Sequence, residues 1–203
     1  MSDIFMYDFG DGNGAVEARR HSNGGGIVAL TATVADTAYI GEDARVFGNA
    51  WVSRNTRVFG SAEVSGNAWI YVGTQVYGNA RVFGNAKVSD NAKIYGDAKI
   101  SGDAWVRGDA QVYGNAEISG NAQVYENARI FGNVQVYENA RIFGNAQVYG
   151  TVLVYGKAQV YGNAEVSDNA WVHGNARILE NTQILGNTKV SINISGNEQM
   201  PSV

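Results

Sequence analysis

The sequence predicts an all-β chain wound as a single-stranded parallel coil. Three observations predict it. From Val28 to Val190 every sixth residue is Val or Ile, 28 hits without a slip. Two residues before each hit stands a small residue, mostly Ala (Ala32, Ala38, Ala44, Ala50), in places Thr (Thr56, Thr74, Thr182, Thr188) and twice Val (Val134, Val152). Ahead of it comes Asn or Asp, and ahead of that usually Gly, so the unit reads Gly-Asn-Ala-x-Val-Tyr. Self-similarity at a short fixed period marks a solenoid rather than a conventional domain.

Each element of the unit follows from backbone geometry. Ala and Val/Ile lie two apart, so both point to one side of an extended segment. The residue between them points out, and it is Arg45, Lys93, Gln111, Glu117 or Trp51, as an outward position should be. Gly-Asn then turns the chain, because both residues tolerate positive φ at little cost. A strand and a turn every six residues leave no room for a hairpin register. The result is a coil whose inside collects every Val/Ile and every Ala, each Val/Ile contributing about 1.5–3 kcal/mol of gross burial. The recurring Asn can form ladders of side-chain amides from coil to coil.

On this pattern, from Gly26 to Ile194, the chain resembles the hexapeptide-repeat, left-handed parallel β-helix family. The resemblance implies three hexads per turn, a three-sided prism of about nine 18-residue coils, roughly 45 Å long at ~4.8 Å per stacked strand. The left hand comes from the resemblance alone, since parallel crossovers otherwise favour the right. The family often has Gly directly after Val/Ile. Here Tyr, Phe or Ser stands there and Gly follows one later, so the corners are expected to differ. Asp97, Asp103 and Asp109 fall on three different corners and read as variant turn residues, not a carboxylate cluster.

Sorting residues by coil reveals the surface columns. One corner reads Phe59, Tyr77, Tyr95, Tyr113, Phe131, Tyr149, while the adjacent sides are mixed and include Ser65, Ser101 and Ser119. A second column holds Trp51, Trp69 and Trp105, with Lys87 between. Stacked rings stabilise a ladder. A long aromatic stripe also marks a contact surface, and both columns are taken here as the candidate interface. The partner the resemblance implies is a second and third copy of the chain, since family members commonly form parallel trimers. A glycan stacking on Trp or Tyr is the other candidate ligand.

Three segments are expected: 1–27 as a short irregular N-terminal cap or docking element, 28–194 as the coil, and 195–203 as a flexible tail. A parallel coil leaves strand edges open at its ends, and these need covering. Phe5, Tyr7, Phe9, Arg19, Arg20 and His21 are the candidate docking residues.

Composition narrows the chemistry. Net charge is −4 with no basic block, so nucleic acid is not expected. No apolar run approaches the ~20 residues that span a bilayer. Met1 to Gly14 lacks a basic stretch and does not read as a secretory signal. Cys is absent, which suits a cytoplasm or a virion. Carbonic anhydrases of this fold need three His around a metal, and the chain has two, His21 and His173, far apart. The acyltransferases of the family use a catalytic His and usually a loop that breaks the coil. The register here never breaks, and His173 reads as a surface substitution. No catalytic, cofactor or metal site is expected. The segment Arg20 to Gly26 running into Ala32–Ile40 looks like hexapeptide-repeat proteins of tailed bacteriophages. That resemblance implies a non-enzymatic virion component (fibre, whisker, collar or tail tip), located in the virion rather than the bacterial cytoplasm, with other virion proteins as partners of the N-terminal segment. The alternatives are an acyltransferase and an end-to-end cytoskeletal polymer.

Overall fold

The computed structural model describes residues 3–196 and the backbone of Gln199 and Met200. Three sheets enclose one core. Most strands are two residues long, an outward residue followed by an inward Val or Ile, as in Arg45–Val46 and Trp51–Val52. Each pairs in parallel with the strand 18 residues on, so that Trp51 lies beside Trp69 and Val52 beside Ile70. Every third strand therefore shares a face. The first face has 12 strands ending at Lys189–Val190, the second nine from Thr33–Val34 to Arg177–Ile178, and the third ten from Tyr39–Ile40 to Gln199–Met200. No helix occurs among the described residues.

All Val/Ile positions of the period are buried, the most exposed being Val34 at 8%. The backbone is satisfied from coil to coil, with Trp51 N donating to Ala68 O at 2.9 Å and Ser53 N to Ile70 O at 2.8 Å. Where Thr replaces Ala, its hydroxyl finds a carbonyl, Thr56 Oγ1 donating to Tyr71 O at 3.1 Å, which removes the cost of burying it.

The usual corner holds a positive-φ Gly one residue past the outward Tyr, Phe or Ser, as at Gly48 (φ 65). Asp90, Glu126, Glu138, Asp168 and Glu180 adopt the same left-handed conformation at φ 59 to 62. Two corners differ. At Arg54-Asn55 and Val72-Gly73 the positive φ moves one residue on, to Asn55 (φ 56) and Gly73 (φ 84), and Val72 is left exposed.

The N-terminal segment is more regular than an irregular cap. Strands β1 (Ile4–Asp8) and β2 (Ala15–Arg20) form an antiparallel hairpin, and β2 pairs antiparallel with β3 (Ile27–Ala29), the first strand of the coil. The hairpin builds a small second core of Phe9, Ala18, Ala29 and Phe47, flanked by Phe5, Tyr7, Val16 and Ile27. The loop after β2 then crosses the edge of the third face. Gly26 N donates to Ile40 O, and Ile40 N to Asn23 O, each at 3.0 Å. At the other end Ile194 bridges Ile178, and Gln199–Met200 adds a strand beside Gln183–Ile184. That part of the expected flexible tail is paired, while 197–198 and 201–203 lie outside the described residues.

Candidate interaction surfaces

The six-ring column exists and is continuous. Phe59, Tyr77, Tyr95, Tyr113, Phe131 and Tyr149 stack face to face, with centroids 4.6 to 5.0 Å apart and planes within 7°. The spacing is that of the coils, because each ring hangs from the same corner position one turn further on. Each ring covers its neighbour's face, so the side chains are half-buried and present edges rather than faces to solvent. Burial raises the Tyr77 and Tyr95 hydroxyls above their ordinary titration range, and at Tyr95 the neighbouring Tyr113 and Tyr77 add to it. At the end of the column Tyr149 donates to the Glu165 carboxylate, the main cause of its own upward shift.

The expectation that adjacent corners are mixed holds only for the first half of the coil. Tyr125, Phe143 and Tyr161 stack at 4.7 to 4.8 Å on the second corner, the one that follows the second face, and Tyr137, Tyr155 and His173 stack at 5.0 and 5.4 Å on the first, which follows the first face. Sorting by 18 reveals them once the columns are read separately along their length. His173 is thereby a ring in a stack, 14° from the plane of Tyr155.

Trp51 and Trp69 form a pair at 5.3 Å on the second face, and Tyr71 packs against both. Trp105 is two strands away, past Lys87, and stands with Arg107, whose guanidinium lies 4.7 Å from its ring. Trp69 and Trp105 remain exposed. A shallow cleft between Tyr71 and Trp105, lined also by Val72, Ser89 and Asp90, went unnoticed in the sequence. Its signal was the displaced Gly at position 73.

The candidate docking residues divide. Phe5, Tyr7 and Phe9 occupy one side of β1 and turn onto Phe47, Phe9 stacking on it at 4.6 Å. The opposite side presents Ile4 (59% exposed) and Met6 (63%) along an open sheet edge. Arg20 Nη1 donates to Gly25 O at 3.0 Å, which ties it to the loop. His21 is 2% exposed, with Nδ1 3.2 Å from Asn23 O, so its ring belongs to the packing under that loop and not to a docking surface. Alternation of Phe5, Tyr7 and Phe9 ahead of Gly10-Asp11-Gly12-Asn13-Gly14 was a readable hairpin signal.

The first face carries ion pairs, Arg45 and Arg81 both on Glu63 at 2.8 and 3.0 Å, and Lys99 on Glu117 at 2.8 Å. Such solvated pairs contribute at most about 1 kcal/mol each. No group of three His, Cys, Asp or Glu side chains gathers among the described residues.

The fold is that of the hexapeptide-repeat β-helices. A family model described as YdcK Beta solenoid repeat matches residues 75–90, 110–126, 122–138, 134–150 and 158–174. Among solved structures, the UDP-N-acetylglucosamine acyltransferase of Bacteroides fragilis superposes with a TM-score of 0.61 at 14% identity, over 80% of this chain and 68% of that one. The corresponding enzyme of Francisella novicida gives 0.59 at 17%, over 73% of this chain. That of Campylobacter jejuni gives 0.57 at 16%, over 73% of this chain and 71% of that one. The chain spans 63% of the length of the Francisella enzyme. At these identities the likeness is one of fold. No curated protein sequence matches the chain.

Proposed function

We propose that the chain is a non-catalytic, self-associating rod, an oligomeric structural protein whose setting is a phage virion. The single observation that carries it is the uninterrupted six-ring column. It makes a ridge along most of the coil, with ring edges outward and the strands hydrogen-bonded from coil to coil. A stiff prism of this kind works by geometry, holding its ends a fixed distance apart. Copies associating along the ridge would form a trimer. The hairpin covers the first strand of the first face and the 21–26 loop that of the third, while Thr33–Val34 is left as the edge of the second, so stacking coil on coil through that end is hindered on two faces of three. In the virion setting, the exposed Ile4–Met6 edge is the docking element. The virion setting is tested by mass spectrometry of gradient-purified particles from the source strain. Presence at a fixed copy number per particle supports it, and absence removes it.

A second reading is favoured by the three superposing enzymes named above, which are acyltransferases. In it the chain transfers an acyl group to a nucleotide sugar, with His173 as base. Acyl-CoA binding, read as a thermal shift that disappears in His173→Ala, would promote this reading over the first.

A further inference from the structure

At the second corner the ring column has a missing member. Positions one coil apart there read Tyr71, Ser89, Arg107, Tyr125, so two successive coils lack a ring: Arg107 occupies the second by lying over Tyr125, while at Ser89, itself buried, space is left beside Tyr71. The walls of the gap are fixed in advance. Trp51 and Trp69 hold Tyr71 from one side, with centroids 5.6 and 5.8 Å away. On the other side Trp105 leans toward the gap, its Nε1 donating to Ser89 Oγ at 3.2 Å. Ser89 Oγ in turn donates to Asp90 Oδ2 at 3.2 Å, and Gly108 N donates to the same oxygen at 3.2 Å. One relay therefore orients both the indole and the carboxylate. The cleft between the walls has a volume of about 440 Å³, with Val72 on its rim. Asp90 sits at φ 61 where Gly is the usual occupant, a corner conformation it shares with Glu126, Glu138, Asp168 and Glu180.

We propose that this cleft binds a neutral saccharide, one pyranose ring entering the gap in the column. A pyranose has an apolar face for Tyr71 and Trp105 and a rim of hydroxyls for Asp90, matching a mostly apolar cleft with few oriented polar groups. Charge selects against the other flat or ring-seeking ligands. The Arg107 guanidinium already lies 4.7 Å from the Trp105 ring and 4.5 Å from that of Tyr125, so a second cation beside it is repelled. A nucleotide is disfavoured by Asp90, since nucleic-acid sites on aromatic platforms need a basic groove. The proposal is independent of whether the rod is structural or enzymatic.

The test is titration of the full chain with cellotriose and with its N-acetylated counterpart chitotriose, followed by tryptophan fluorescence and calorimetry. A saturable signal is expected with at least one of them, weakened roughly tenfold or more in Asp90→Asn. Tyr161→Ser, in the same column but outside the cleft, should bind as wild type does. Since Trp105→Ala could loosen the coil, Ser89→Tyr is the decisive variant. It supplies the missing ring, so it should abolish binding while melting no lower than wild type. No saturable signal with either sugar, undiminished binding in Ser89→Tyr, or saturation by choline chloride in place of sugar overturns the proposal.

Discussion

Asn85 donates from Nδ2 to Oδ1 of Asp103 at 3.0 Å, and the amide ladder of that corner ends there. An Asn side chain both donates and accepts, so Asn49, Asn67 and Asn85 link forward one coil at a time, at 3.4 and 3.1 Å. An ionised carboxylate only accepts. Asp97 and Asp109 end the ladders of the other two corners in the same way, receiving from Asn79 at 2.9 Å and Asn91 at 3.1 Å. All three ladders thus stop within one turn of the coil.

Replacing Asp97, Asp103 and Asp109 together by Asn should join the ladders to Asn115, Asn121 and Asn127. Each new link is worth about 0.5–1.5 kcal/mol net, so the triple variant should melt higher than wild type in thermal denaturation. A lower midpoint would mean that the carboxylates stabilise this turn in some other way.

Tyr95 stacks on Tyr77 at 4.8 Å and on Tyr113 at 4.6 Å. Removing its ring in Tyr95→Ser breaks two stacks, each worth about 0.5–1.5 kcal/mol beyond area burial. The loss should be roughly twice that of Phe59→Ser, which breaks one. Equal losses in chemical denaturation would show that the stacks contribute nothing as pairs.

The stacked tyrosines of all three corners make stability depend on alkali. The hydroxyls of Tyr77, Tyr95, Tyr125, Tyr137 and Tyr149 are all raised above the ordinary value of 10.0, by burial first in every case but Tyr149, where the bond to Glu165 leads. The folded state therefore holds these protons more tightly than the unfolded chain does. This contribution is fully present below pH 10 and is lost as pH rises through the higher folded values. Ultraviolet titration of the native protein should show these tyrosines ionising later than in the denatured chain, and melting should fall only above that point. Coincident native and denatured titrations would contradict this.

Glu126, Glu138 and Glu180 hold φ of 61, 59 and 61 at corners where Gly is usual. A left-handed non-Gly residue costs about 1–2 kcal/mol, offset in part by the greater unfolded entropy of Gly. Each Glu→Gly change should stabilise by about 0.5 kcal/mol in denaturation midpoints, and the three together additively, as expected for a chain whose coils contact only their neighbours. Destabilisation would mean that these side chains make contacts that outweigh the strain.

The core of this protein could be read from its sequence because a single number, the period of six, sets side-chain direction, turn position and pairing partner at once. Val28 through Val190 are all inside for that reason. The surface is another matter. Outward residues are not constrained by the core, so the sequence alone could not tell that the Phe59–Tyr149 rings cover one another's faces. The two shorter stacks were hidden because their corners change from Ser to aromatic part-way along. The turn from face to face at Val72-Gly73 keeps the Val/Ile period intact while shifting a positive φ by one residue, and so it leaves no trace in the periodicity. Outside the repeat, the burial of His21 depends on a loop that returns to Ile40, a contact local pattern does not predict.

The central claim is that the Phe59–Tyr149 ridge is where copies of the rod meet. Solution mass by light scattering tests it directly, on wild type and on two triple variants. One variant, Tyr77→Ser/Tyr95→Ser/Tyr113→Ser, cuts the long column. The other, Tyr125→Ser/Phe143→Ser/Tyr161→Ser, removes a stack of comparable strength from the second corner. The account predicts a trimer for wild type and for the second variant, and a monomer for the first. A monomer in all three would contradict it, as would an oligomer that survives loss of the long column.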